Sequence, residues 1–123
     1  MKFTNVYAYR GPVIKLTLSR TYYFALLRCI AEVRDETLFD DYYAEKLDLL
    51  LSRIVSTAEK NDENMTRSIL LDRILTVQIQ DVLHDYSELL PYWELAEVLT
   101  EKFEHIRYLF PDLSSSKDGD PID

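Results

Sequence analysis

Apolar residues recur three and four positions apart over four stretches of the chain, which is the spacing of one face of an α-helix. The stripes predict four helices, at about 20–34, 40–60, 64–86 and 89–109. Ser19 precedes the first stripe and favours a helix N-terminus, because its hydroxyl can cap free backbone N–H groups. Asp40 and Asp41 open the second stripe, where negative charge is favourable at a helix N-terminus.

The two ends of the chain lack the helical spacing. Residues 1–18 are rich in β-branched and aromatic residues and are broken by Gly11-Pro12, which predicts a β-hairpin or an extended arm. Residues 112–123 follow Pro111 and carry no periodicity, so we expect a disordered acidic tail. The predicted fold is mainly α: one domain over residues 1–111, a four-helix bundle with a short N-terminal β-hairpin or extended arm and a disordered C-terminal tail.

Charge is unevenly distributed along the chain. The net charge is −8, yet residues 1–34 hold six bases and one acid, while residues 35–123 hold eight bases and 21 acids. An acidic segment of this kind argues against nucleic acid as a partner, because a phosphate backbone is bound by clustered Lys and Arg. It favours a partner protein with a basic surface, or a purely solubilising role. The basic first third can also pair with the acidic remainder, within one chain or across a homodimer.

Cysteine content and hydropathy predict a cytoplasmic protein. Cys29 is the single cysteine, so an internal disulfide is excluded, and its place on an apolar helical stripe predicts a buried, inert thiol. The start of the chain has no apolar segment of the kind found in a signal peptide. No apolar run approaches the roughly 20 residues that span a bilayer, so we predict no membrane association.

Two His–carboxylate pairs are candidates for a metal site: Asp81 with His84, and Glu101 with His105. A di-metal bundle, however, needs two matching Glu-x-x-His motifs and two further inward glutamates. Carboxylate pairs of the kind that hold magnesium in helical nucleotide pyrophosphohydrolases also arise by chance in so acidic a chain. These pairs are Glu32 with Asp35, Glu59 with Asp62, and Asp41 with Glu45. We predict no metal, no cofactor and no catalytic residue.

Adjacent aromatic residues open three of the predicted helices, as Tyr22-Tyr23, Tyr42-Tyr43 and Tyr92-Trp93. Neighbouring residues on a helix lie about 100° apart, so one ring of each pair faces away from the core. Tyr and Trp are enriched at binding interfaces, and acidic residues flank two of these pairs. The predicted partner-binding residues are Asp40, Asp41, Tyr42, Glu45, Trp93, Glu94 and Glu97. The alternative is that the spare rings cover helix ends, pack under the hairpin or are buried in a homodimer.

Size, acidity and the lack of a catalytic motif favour a binding protein over an enzyme. The predicted function is a non-enzymatic acidic inhibitor, of the immunity, antitoxin or phage-inhibitor type, which covers a basic site on another protein. A structural or adaptor subunit of a larger assembly is one alternative. It would self-associate by covering the hairpin edges and by burying the second apolar stripes of the first and third helices, which in the third helix comprise Leu70, Ile74 and Val77. A metal-dependent helical-bundle enzyme is the other.

Overall fold

Four helices and four strands make up the fold in a computed structural model. The described residues are 2–8, 11–37, 39–61, 63 and 65–110, with side chains left out of the description for 2–8, 11, 12 and 61. In chain order the elements are β1 (Lys2–Ala8), β2 (Gly11–Ser19), α1 (Arg20–Glu36), α2 (Asp41–Thr57), β3 (Glu59–Asn61), β4 (Thr66–Leu71), α3 (Arg73–Leu89) and α4 (Glu94–Arg107). The predicted mainly α fold, with four helices and an N-terminal β-hairpin, is confirmed. The predicted tail at 112–123 lies outside the described residues.

The starts of three helices are set by side-chain caps. Ser19, Asp40 and Asp72 occupy the N-cap positions of α1, α2 and α3. Each accepts a hydrogen bond from the backbone N–H three residues on, at 3.3, 3.1 and 2.7 Å respectively. Helix α4 has Trp93 at its N-cap, which makes no such bond, and instead carries two glutamates in its first turn. Negative charge there is favourable, because the N-terminus of a helix is partly positive.

The sheet is antiparallel throughout, with the strand order β1-β2-β4-β3. Leu16 of β2 lies opposite Ile69 of β4, and both side chains are buried. On the other face, the hydroxyls of Thr17 and Ser68 lie 2.9 Å apart and share a hydrogen bond. One face of the sheet therefore belongs to the core, and the hairpin predicted from the sequence is extended by two further strands.

The prediction for the third helix is wrong at its start. Helix was expected from residue 64, but Thr66–Leu71 is β4 and the helix begins only at Arg73. Leu70 and Ile74, which seemed to form an apolar helical stripe, are 52% and 67% exposed. The strand is favoured because Arg67, Ile69 and Leu71, which share one face of the sheet, are all buried. Pairing with β2 also satisfies the backbone N–H and C=O groups along the edge of the hairpin.

Other boundaries shift for local reasons. Helix α2 ends at Thr57 instead of near 60, because Glu59–Asn61 pairs with β4. Helix α1 runs two residues past the predicted end, to Glu36. Residues 90–93, expected to begin the fourth helix, are not helical, since Pro91 disfavours continuation of the α conformation before it.

The core is a single cluster to which all four helices and strands β2 and β4 contribute. Helix α1 lies at its centre, in contact with the three other helices and with both of those strands. The buried residues of α1 are Tyr23, Ala25, Leu26, Cys29, Ile30 and Val33. The arrangement leaves the C-terminal end of α1 beside the link between α3 and α4, where the candidate site lies.

Candidate partner-binding surface

Bases of the first third pair with acids of the remainder inside the chain. The Nζ atom of Lys15 lies 3.6 Å from Glu59, and the guanidinium of Arg34 pairs with Asp48 and, at 3.5 Å, with Asp35. All of these side chains are substantially exposed, so each pair contributes at most about 1 kcal/mol. The intramolecular form of the predicted pairing is thus present, and it uses part of the acidic surface.

Tyr92 and Trp93 lie in the link between α3 and α4, and we call their two rings the aromatic ridge. The ring of Trp93 is partly buried against Tyr86 of α3, with ring centroids 6.3 Å apart. The guanidinium of Arg28, from α1, lies over the other part of the indole, 4.7 Å from its centroid. Tyr92, the preceding residue, is 77% exposed. The ridge therefore has one exposed ring, that of Tyr92, and one ring, that of Trp93, on which the guanidinium of Arg28 already lies.

A groove lies on each side of this ridge. The first, which we call the α1-side groove, has a volume of about 450 Å³. Its walls are acidic along α1 and aromatic along the α3–α4 link, and they comprise Arg28, Glu32, Asp35, Glu36, Tyr86, Leu90, Pro91, Tyr92 and Trp93. The second, the α4-side groove, has about 330 Å³ and adds Glu97 and Thr100 of α4 to the same three aromatic rings. Both grooves share the ridge.

The electrostatic environment of the ridge is negative. Burial, followed by the charge of Glu32, raises the pKa of the Tyr86 phenol. A hydrogen bond with Glu97 raises the pKa of the Tyr92 phenol. Glu32 also binds the Nε atom of Arg28 at 3.0 Å. The carboxylates of Glu32 and Glu97 thus disfavour ionisation of the two phenols and favour a cation in the groove.

Two acids of the α1-side groove lie where a helix does not favour them. Asp35 and Glu36 occupy the last turn of α1, whose basic residue is Arg34. The C-terminus of a helix is partly negative, so an acid there is unfavourable by a few tenths of a kcal/mol up to about 1 kcal/mol. By contrast, Asp41 and Glu94 lie in first turns, where the same charge stabilises the helix. Helix stability therefore explains the acids at first turns. In the groove, Asp35 pairs with Arg34 at 3.5 Å, and the dipole of α1 gives no reason for Glu36.

The predicted site residues fall on two separate surfaces. Asp40, Asp41, Tyr42 and Glu45 lie on the exposed start of α2, while Trp93, Glu94 and Glu97 lie at the start of α4. Tyr43, next to the first group, donates a hydrogen bond from its hydroxyl to Asp85 of α3. Trp93 contacts the next residue of α3, Tyr86. Consecutive helical residues point about 100° apart, so the two groups flank α3 on different sides.

The sequence predicted Trp93 and Glu97 as site residues. It did not predict that Glu32, Asp35 and Glu36 line the same groove as Trp93. The signal available was local: two acids in the last turn of a helix, where bases are the favourable choice. It was hidden because the first helix was expected to end at 34. The contact between the end of α1 and the α3–α4 link is a tertiary feature with no local signature.

Among the residues considered for metal binding, Asp62 lies outside the described residues, and His84 and His105 are both exposed. The Nε2 atom of His84 lies 3.6 Å from Glu88, and both side chains are exposed. Across the described part of the chain, no group of three or more His, Cys, Asp or Glu side chains is placed to hold a metal ion. Cys29 is fully buried, and burial raises the pKa of its thiol to about 12.

Comparison with known proteins leaves the chain without a family. No protein-family model, curated protein sequence or solved structure matches it. In the described residues, none of the helices combines the length and the apolar character needed to cross a membrane.

Proposed function

We propose that the protein is a non-enzymatic, cytoplasmic binding module that uses the acidic–aromatic grooves at Trp93 to cover a basic site on a partner protein. In this role it acts as an inhibitor of the immunity, antitoxin or phage-inhibitor type. The net charge of −8 steers a basic partner toward the surface, and the aromatic ridge provides the area that holds it.

The observation that carries the proposal is the α1-side groove. It combines Tyr92, the most exposed of its aromatic rings, with Asp35 and Glu36, which lie at the unfavourable end of a helix. Asp35 makes an exposed ion pair with Arg34 at 3.5 Å, and Glu36 lies at the partly negative end of α1. Exposed aromatic area beside acids is the composition of an interface for a cationic surface. The acids at the start of α2, in contrast, have a sufficient explanation in capping and helix stability.

The test is partner capture with a groove variant and a matched control. The full chain is immobilised as wild type, as the double variant Asp35→Asn/Glu36→Gln, and as Glu45→Gln, which removes an exposed acid of α2. Proteins from the native host that bind the wild type and the control, but are lost from the groove variant, are produced separately. Their dissociation constants are then measured at about 0.1 M and about 1 M salt, where the Debye length falls from about 10 Å to about 3 Å.

A basic protein whose affinity falls steeply with salt and is reduced by the groove variant supports the proposal. Two results contradict it: no host protein distinguishes the groove variant from the control, or the captured protein binds equally well at both salt concentrations. Loss of binding with Glu45→Gln alone would indicate an interface at the start of α2, where the predicted residues Asp40, Asp41, Tyr42 and Glu45 lie.

Self-association is a second candidate, favoured by the sheet edge. Strand β1 ends the sheet order and, among the described strands, pairs only with β2. A seven-residue edge strand offers a row of backbone groups to a second copy or to a strand of a larger assembly. Sedimentation of the purified chain at micromolar concentration tests this role as a structural or adaptor subunit. A monomer at every concentration would contradict the homodimer.

A further inference from the structure

The side chain of Arg28 already occupies the kind of position that a basic partner would use. Its guanidinium lies 4.7 Å from the centroid of Trp93, and its Nε atom is 3.0 Å from Glu32. Stacking on an aromatic face combined with a carboxylate hydrogen bond is the recognition pattern of arginine. The groove therefore holds, within one chain, an example of the contact it can make.

Chemically equivalent positions remain open beside this contact. Tyr92 presents an exposed ring on the same ridge, and Asp35 and Glu36 line the same groove. The volume of about 450 Å³ is large enough for a long side chain and too open for a small molecule to be enclosed. A second cation can thus stack on the ridge while its hydrogen-bond donors reach the carboxylates.

We infer that the α1-side groove binds an arginine side chain carried by an exposed basic segment of the partner protein. This inference rests on the proposed function and names the group that the interface recognises. Arginine is favoured over lysine because its planar guanidinium stacks on a ring and binds a carboxylate through two parallel N–H groups. Lysine, a compact and strongly hydrated charge, gains less from the ring.

Because Arg28 covers one aromatic face with a like charge, it competes with the incoming arginine. Its own side chain is largely exposed, so it can move away from Trp93 without opening the core. Removing Arg28 should uncover the indole and increase affinity for arginine. A charge-matched change elsewhere, such as Arg53→Gln on α2, removes the same charge and leaves the indole covered.

The test uses two fluorescein-labelled peptides of equal length and charge, one with arginines and one with lysines separated by glycines. Binding to the full chain is followed by fluorescence anisotropy of the label, and by the emission of Trp93 with unlabelled peptides. Trp93 is the single tryptophan of the chain, so its emission reports on the ridge directly. The proteins compared are wild type, Asp35→Asn/Glu36→Gln, Arg28→Gln, Arg53→Gln and Glu104→Gln, which removes an exposed acid of α4 outside both grooves.

The arginine peptide is expected to bind about tenfold more tightly than the lysine peptide, a difference of about 1.4 kcal/mol, and to change the emission of Trp93. The groove variant should lose about tenfold in affinity and Glu104→Gln less than twofold, and Arg28→Gln should gain more affinity than Arg53→Gln. Equal affinity for the two peptides, or unchanged Trp93 emission on binding, would overturn the inference. Such a result would leave the proposed function to be decided by partner capture, whereas a capture failure with intact arginine selectivity would contradict the proposed function and leave the arginine site standing.

Discussion

The hydroxyl of Tyr43 joins α2 to α3, and removing it gives a defined test of the fold. Tyr43 donates to the carboxylate of Asp85, 42 positions away, while its ring packs against the core. The substitution Tyr43→Phe keeps the ring and deletes the donor. A hydrogen bond to a charged acceptor contributes about 1.5–3 kcal/mol, and the lower end applies because partly exposed Asp85 regains water. We expect a loss of about 1.5 kcal/mol, or roughly 6 °C in Tm.

The effect of Tyr43→Phe should depend on pH in a definite direction. Burial, followed by the hydrogen bond to Asp85, raises the pKa of the Tyr43 phenol above its ordinary value of 10.0. The folded chain thus keeps a proton that the unfolded chain releases above pH about 10. The stability that the neutral phenol contributes is complete below that pH and is lost as the pH rises through the folded-state pKa. The difference in the free energy of unfolding between wild type and Tyr43→Phe should therefore become smaller at alkaline pH.

Urea unfolding, followed by circular dichroism at pH about 8 and about 11, measures both effects. Asp85→Asn and the double variant complete a thermodynamic cycle, with an expected coupling of about 1 kcal/mol. Tyr42→Phe is the matched control: its ring is 74% exposed, so its loss should stay within about 0.5 kcal/mol. The expectation is refuted if Tyr43→Phe lowers the free energy of unfolding no more than Tyr42→Phe does. It is also refuted if the losses of Tyr43→Phe and Asp85→Asn simply add up to the loss of the double variant.

Three further outcomes follow from the structure. Asp72→Ala removes the cap of α3 and should cost about 1–2 kcal/mol in urea unfolding, whereas Asp72→Asn should restore most of it; equal losses would contradict capping. The thiol of Cys29, with its pKa raised to about 12 by burial, should react with Ellman's reagent at neutral pH only after unfolding, so a rate near that of the denatured chain would be inconsistent with its placement. Glu36→Gln should leave the free energy of unfolding unchanged or raise it by a few tenths of a kcal/mol; a clear loss would mean that this acid stabilises α1.

Local sequence was sufficient for the features that local physics decides. The apolar spacing located α1, α2 and α4 to within a few residues, and Ser19 and Asp40 were correctly placed at helix N-termini. Two strands were correctly expected within residues 1–18, but Gly11 and Pro12 are the first residues of β2 and pair with β1 instead of separating the strands. Each of these features depends on interactions within one or two turns of the chain, so the pattern of side chains determines it.

Strand β4 could not be predicted on the same basis. Its partner, β2, lies some 50 positions earlier, and the pairing of Leu16 with Ile69 leaves no trace in the local spacing. The run at 69–71 is apolar at every position and fits a helix as well as a strand. The outcome depended on the unsatisfied edge of the hairpin, which is a tertiary condition. The same limit applies to the candidate site, where the approach of α1 to Trp93 assembles the groove.

The acidic residues of the chain divide into those that the fold explains and those that it does not. Asp40 and Asp72 cap helices, and Asp48 and Glu59 neutralise bases from the first third. Replacing any of these should reduce stability, so their presence is no evidence of a partner. Glu36 lies against the dipole of its own helix and in the wall of an aromatic groove. Because the dipole of α1 gives no reason for an acid at Glu36, we propose the interface at the end of α1 and not at the more acidic start of α2.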